Sequence, residues 1–173
     1  MTLTRRFLLA VASFSFFGLG AGCSDRPADS KEQANFEVEF LTGMIDHHSA
    51  AVAMAKMGVE RASRKELREM SGQIVTAQAA EIGQLAGWLR DWYGKSHSPA
   101  MDDMSNSPMK RLHAAAPAEF DREFTKAMIE HHSSALSSGR RCEEKASHAE
   151  LKKFCRGMVE MQQREIDMMK GWQ

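Results

Sequence analysis

Two stretches of this chain set chemically capable side chains in the same order: Met44-Ile45-Asp46-His47-His48 and Met128-Ile129-Glu130-His131-His132. Each is followed by a second polar motif, Gln78-x-x-Glu81-Ile82 in the first case and Gln162-x-x-Glu165-Ile166 in the second. These side chains are metal-ligand types. Imidazole suits copper, zinc, iron or nickel, thioether sulfur selects Cu(I), and carboxylate prefers harder ions. On a helix, adjacent histidines stand about 100° apart, so each pair flanks the centre of one face. Asp46 and Glu130 point the other way and are expected to be solvated.

The recurrence is a repeat. An offset of 84 residues, without a gap, lays Glu60-Arg61-Ala62-Ser63 on Glu144-Lys145-Ala146-Ser147 and Trp88 on Trp172 as well as matching the histidine motifs. Each half is therefore expected to fold as the same unit. Phe40, Leu41, Met44, His48, Ala51, Val52 and Ala55 share one face at helical spacing. Ser63-x-x-Glu66 and Ser147-x-x-Glu150 have the form of capping boxes that restart a helix after a tight turn. The second helix of each unit then carries an inner stripe, Leu67 to Trp88 or Leu151 to Trp172. Two such hairpins, 35–93 and 117–173, predict an all-α four-helix bundle. The linker, 94–116, reaches about 75 Å when extended at roughly 3.3 Å per residue. A helix of about 27 residues is only about 40 Å long. The linker can thus cross the whole bundle, as ferritin-like connections do; a short connection with a slack loop is the alternative.

With turns centred on residues 63 and 147, His48 is expected opposite Gln78 and Met44 near Glu81. His132 likewise falls opposite Gln162, and Met128 near Glu165. A glutamate on an apolar stripe is costly to bury unpaired. Imidazoles opposite it would compensate, by hydrogen bonding or through a shared metal. A polar network that only fixes register is the alternative, but recurrence at identical spacing favours metal. Met54, seven residues after His47 on the same side of its helix, is a further soft donor. Met70, Met158, Met168 and Met169 read as core filling. His97, Met101, Met104, Met109 and His113 lie in the polar linker, where they suit capture of Cu(I) or Ag(I); a solvated loop is the alternative. Cys142 and Cys155 come out about one turn out of level, so a disulfide requires an irregular turn, although an oxidising compartment favours pairing.

Arg5-Arg6 followed by an apolar run to Gly22 marks residues 1–22 as an export segment, too short and too rich in Gly and Ser for a membrane span. Thr4-Arg5-Arg6-Phe7-Leu8 resembles a twin-arginine signal. Leu19-Gly20-Ala21-Gly22-Cys23 resembles a lipoprotein cleavage box, which would make Cys23 a lipidated first residue anchored to a membrane, with 24–34 as a flexible tether. An ordinary cleaved signal is the alternative. In both cases the protein works in the periplasm or cell envelope. Lys+Arg and Asp+Glu are balanced at 23 each, so there is no electrostatic case for nucleic acid.

Met44-Ile45-Asp46-His47-His48 with Ala51 and Met54-Ala55, then Gln78-x-x-Glu81-Ile82, resembles a bacterial family of exported proteins known as domain of unknown function 305. The resemblance recurs in both halves. It implies a ferritin-like bundle and, in some members, copper binding linked to copper tolerance. The implied ligands are Met44, His47, His48 and Met54, with Met128, His131 and His132. Ser138 stands where the first half has Met54, which implies two unequal sites, the second the poorer in soft donors. The expected function is copper sequestration, as Cu(I) or Cu(II), with zinc or iron as other metals these donors admit. A ferritin-like metal-dependent oxidoreductase is the rival, disfavoured because no Glu-x-x-His lies on an inner stripe. A metal-free structural bundle is the third reading, and unpaired apolar area leaves homodimerisation open.

Overall fold

The computed structural model describes residues 26–99 and 107–173, so the expected export segment, Cys23, Met101 and Met104 lie outside the described residues. Five helices account for its regular structure: α1 (Arg26–Arg61), α2 (Lys65–Tyr93), α3 (Ser107–Ala114), α4 (Phe120–Lys145) and α5 (Ala149–Lys170). The all-α bundle built from two helical hairpins is as the periodicity requires. α1 begins at Arg26, inside the segment expected to be a tether, because nothing between Arg26 and Ala34 breaks a helix once Pro27 sits near its start. No helix among the described residues is long and apolar enough to cross a membrane.

α1 pairs with α2 and α4 with α5, while α1 and α4 carry the contact between hairpins. α1 and α4 run antiparallel. Near one end Asp121, at the start of α4, holds the α1–α2 turn at Ser63 and Arg64. Near the other, Glu37 of α1 holds the α4–α5 turn at Ser147 and His148. Tyr93, the last residue of α2, also reaches Glu37. The chain therefore leaves α2 at one end and enters α4 at the other, and the linker crosses the bundle lengthwise. Gly94 stops α2: its φ of 62° is left-handed, and its N–H donates to the Arg90 carbonyl.

The linker is fastened as it crosses. His97 pairs with Asp46 at 2.7 Å and Arg111 with Glu130 at 3.1 Å. Asp46 and Glu130, expected to be merely solvated, thus serve as repeat-related anchor points. Arg61 donates to the carbonyls of Leu112 and Ala115, both at 2.7 Å. Leu112 is fully buried and Met109 packs beside it. Met109 is consequently half-buried against the core, which its place in a polar linker did not suggest, whereas His113 is exposed. Met70, Met158 and Met169 are buried as expected; Met168 faces water.

Neither capping box forms. The N-cap residues of α2 and α5 are Arg64 and His148, and neither makes a side-chain cap bond. The serines instead donate to a carboxylate from the opposite hairpin, Ser63 to Asp121 and Ser147 to Glu37. Those two carboxylates are themselves related by the 84-residue repeat. Each hairpin's turn is thus closed by its neighbour, and the orphan N–H groups at each helix start find an anion there.

The register is also corrected. His48 meets Glu81 rather than Gln78, and His132 meets Glu165 rather than Gln162. The same register joins Cys142 to Cys155 in a disulfide with Cα atoms 6.1 Å apart. In the first hairpin the equivalent positions are Gly58 and Ser71, where a Cβ on Gly58 would lie 2.2 Å from Ser71 Oγ. The close approach that accommodates a disulfide in one hairpin is therefore reached through a glycine in the other.

Candidate metal centre

The apolar core is divided. One cluster holds Met54, Met70, Phe124 and Met128 near the Asp121 end; the other holds Leu41, Met44, Leu89 and Met158 near the Glu37 end. Between them on every long helix comes a polar level: His47 and His48 on α1, Gln78 and Glu81 on α2, His131 and His132 on α4, Gln162 and Glu165 on α5. Helical periodicity turns His48 and His132 fully inward. Their neighbours His47 and His131 face each other across the α1–α4 contact, with ring centroids 3.7 Å apart.

Each fully buried histidine is held by a carboxylate of its own hairpin: His48 Nε2 lies 2.7 Å from Glu81 Oε2, and His132 Nε2 2.7 Å from Glu165 Oε2. This fixes the ring orientation and leaves Nδ1 as the free atom, the usual division of labour between an orienting carboxylate and a ligating imidazole. His47 Nε2 lies 3.1 Å from both the His131 carbonyl and Ser134 Oγ, which ties the hairpins together at the repeat axis.

Nδ1 of all four histidines is buried and has no hydrogen-bond partner; the same is true of Gln78 Oε1 and both polar atoms of the Gln162 amide. Each such atom costs about 1–3 kcal/mol if nothing meets it. The level therefore calls for a partner that meets these atoms, whether water or a ligand.

Electrostatics keep the central pair neutral. Burial is the main cause that pushes the His47 imidazole down, to about 4, with the neighbouring His48 adding to it. Burial, then His47, pushes His131 down to about 2. Neutral imidazoles at physiological pH present lone pairs to a cation. Unfolded imidazoles would bind protons below about pH 6.5 while the folded pair resists, so stability is complete above that value and falls as pH drops towards 4. Urea unfolding between pH 7 and pH 4 is expected to show this loss, and H47Q to remove the part due to His47 while that of His131, which burial lowers, remains.

Among the described residues no three of His, Cys, Asp and Glu converge as a ready-made ligand group. A site here must therefore draw on other donors, and methionine borders both sides of the level. Met44 and His47 line one small cavity with Ser134 and Ser138. Met54 and Met128 share the apolar cluster on the other side. The sequence reading missed Glu37, Tyr93, His148, Ser134 and Asp121. For Glu37 and Asp121 a signal existed, since both are acidic at equivalent repeat positions.

A family model described as domain of unknown function (DUF305) matches residues 37–173. Among solved structures, CopM in its Cu(I)-bound form is 28% identical, with 79% of this chain and 94% of that chain covered and a TM-score of 0.70. CopM in its Cu(II)-bound form is 29% identical, covering 79% and 95%, with a TM-score of 0.68. A DUF305 protein from Streptomyces coelicolor, described as secreted, is 26% identical, covering 78% and 89%, with a TM-score of 0.68. No curated protein sequence matches.

Proposed function

The chain belongs to the DUF305 family, and from that premise we propose that it is an exported copper-binding protein that sequesters the metal as Cu(I) in the cell envelope, tethered through Cys23. The observation that carries the reading is the polar level itself, four imidazoles, two fully buried and two half-buried, each with a buried, unpartnered Nδ1 and bordered by methionines. The likeness to CopM, solved with Cu(I) and Cu(II), supports it.

These residues fit a soft cation. His47 and His131 would supply neutral nitrogen, and Met44, Met54 and Met128 thioether sulfur, the pairing that favours Cu(I) over harder ions. Glu81 and Glu165 orient His48 and His132, which stand behind the central pair as further nitrogen donors. Gln78 and Gln162 complete the polar lining. Bound copper would be held between the two clusters of apolar side chains that border the level.

The test is a Cu(I) titration of residues 24–173 against a chromophoric chelator, beside two variants. One carries H47A and H131A. The other carries Leu at positions 44, 54 and 128, a nearly volume-conserving change that keeps the core. Each is expected to lose affinity by at least about a hundredfold, or about 2.7 kcal/mol, while the leucine variant keeps its Tm. Unchanged affinity in both would refute copper binding at this level.

A further inference from the structure

We propose that the two repeat-related half-sites are unequal by construction, and that the one at Met44 and His47 is an open site that takes its last donor from outside the chain. The inference rests on the copper reading above and deepens it.

The repeat makes the comparison internal. Phe40, Met44, His47, Ala135 and Ser138 line a cavity of about 180 Å³ between α1 and α4. The 84-residue offset maps them onto Phe124, Met128, His131, Ala51 and Met54. There Phe124, Met128, Ala51 and Met54 form part of a closed cluster, all four at most 2% exposed. Phe40, Met44 and Ala135 are themselves buried, but with Ser138 they border a cavity, and the bulkiest difference between the two frames is methionine against serine. Met54, expected to join Met44 and His47 of its own hairpin, instead packs in one cluster with Met128 of the opposite hairpin. Ser138, in the corresponding place, is exposed and too short to bring any soft donor towards Met44.

A second departure points the same way. Ser134, which lies 3.1 Å from His47 Nε2, takes the place of Ala50. Its hydroxyl holds the ring, whose Nδ1 has no partner. Ser134, Ser138, Gly43 and Glu39 are half-exposed or exposed where they rim the cavity, so it opens to solvent. A Cu(I) ion there has one thioether and one imidazole from the chain and an open side. What completes it is a small soft donor such as a thioether, carried by a free molecule or by the tip of a side chain of another copper protein. The closed half-site, with Met54 in place, needs none. The first would exchange metal and the second would store it.

The test uses residues 24–173 with ¹³C-labelled methionine methyl groups, titrated with Ag(I) as a redox-inert stand-in for Cu(I). The Met54 and Met128 methyl signals are expected to shift together in the first equivalent. The Met44 signal should follow only in the second, at least about tenfold more weakly, a difference of about 1.4 kcal/mol. N-acetylmethioninamide as a free thioether should tighten the second step alone. S138M should bring the two steps together and abolish that effect; M54S should weaken the first. Met44 and Met128 shifting together in the unaltered protein would overturn the inference, as would an S138M protein whose second step is unchanged. If no methionine methyl responds to Ag(I), the copper reading itself fails, a distinct result. Repeating the titration with an exported copper protein in place of the amide separates a protein donor from a free one, since only the former yields a complex of larger mass.

Discussion

Glu37→Gln is expected to lower the free energy of unfolding at pH 7 by about 3 kcal/mol, although residue 37 lies far along α1 from any histidine of the polar level. The carboxylate is fully buried. It accepts from the N–H groups of Ser147 and His148, the Ser147 hydroxyl and the Tyr93 hydroxyl, and pairs with His148 Nδ1 at 2.7 Å. Burial alone would raise its pKa. The hydrogen bonds from Tyr93, His148 and Ser147 outweigh that effect and bring it from 4.5 to about 2, equivalent to about 3 kcal/mol. Because the unfolded carboxyl titrates near 4.5, the stabilisation is complete above that pH and is lost as pH falls to about 2. Urea unfolding of E37Q and the unaltered protein should therefore differ most at pH 7 and converge near pH 2. Asp121→Asn removes the repeat-related carboxylate, which is only half-buried, so water can replace much of it and about 1 kcal/mol is expected. Equal losses in the two variants would show that burial does not set the difference.

The bundle and its crossover were legible because they follow from quantities a sequence carries directly: apolar periodicity, a gapless repeat, and a linker longer than the helices it must span. The facing partners were not. A turn centred on Ser63 places His48 opposite Gln78, yet it meets Glu81, because the point at which two helices face depends on how their ridges interlock as well as on the turn. That same register puts Cys142 level with Cys155. Ser63 and Ser147 look like local caps from the sequence alone. Their partners, Asp121 and Glu37, come from the other hairpin, and no local pattern encodes a contact made by tertiary packing. The histidines themselves were legible as paired inward groups. What the sequence could not distinguish was the division between His48 and His132, each engaged by a carboxylate, and His47 and His131, which stack across the axis.

Removing the disulfide should have the other large effect on stability. Cys142 and Cys155 are both fully buried and lie 13 residues apart, so the bond closes one short loop around the α4–α5 turn. Chain-entropy reasoning assigns a loop of that size about 3 kcal/mol. C142S/C155S is expected to lose this amount, with a little more for burying two hydroxyls. The loss should be greatest near the turn, because the residues that Glu37 holds, Ser147 and His148, lie inside the closed loop. The equivalent first-hairpin positions, Gly58 and Ser71, close the α1–α2 turn without a covalent link. Hydrogen exchange of the oxidised protein against the double serine variant should thus show faster opening of the α4–α5 turn and little change at the α1–α2 turn. Uniform acceleration across both hairpins would mean that the bond acts on global unfolding alone. If the local pattern holds, the covalent link and the Glu37 carboxylate act on the same turn, so combining E37Q with C142S/C155S should give a loss that departs from the sum of the two.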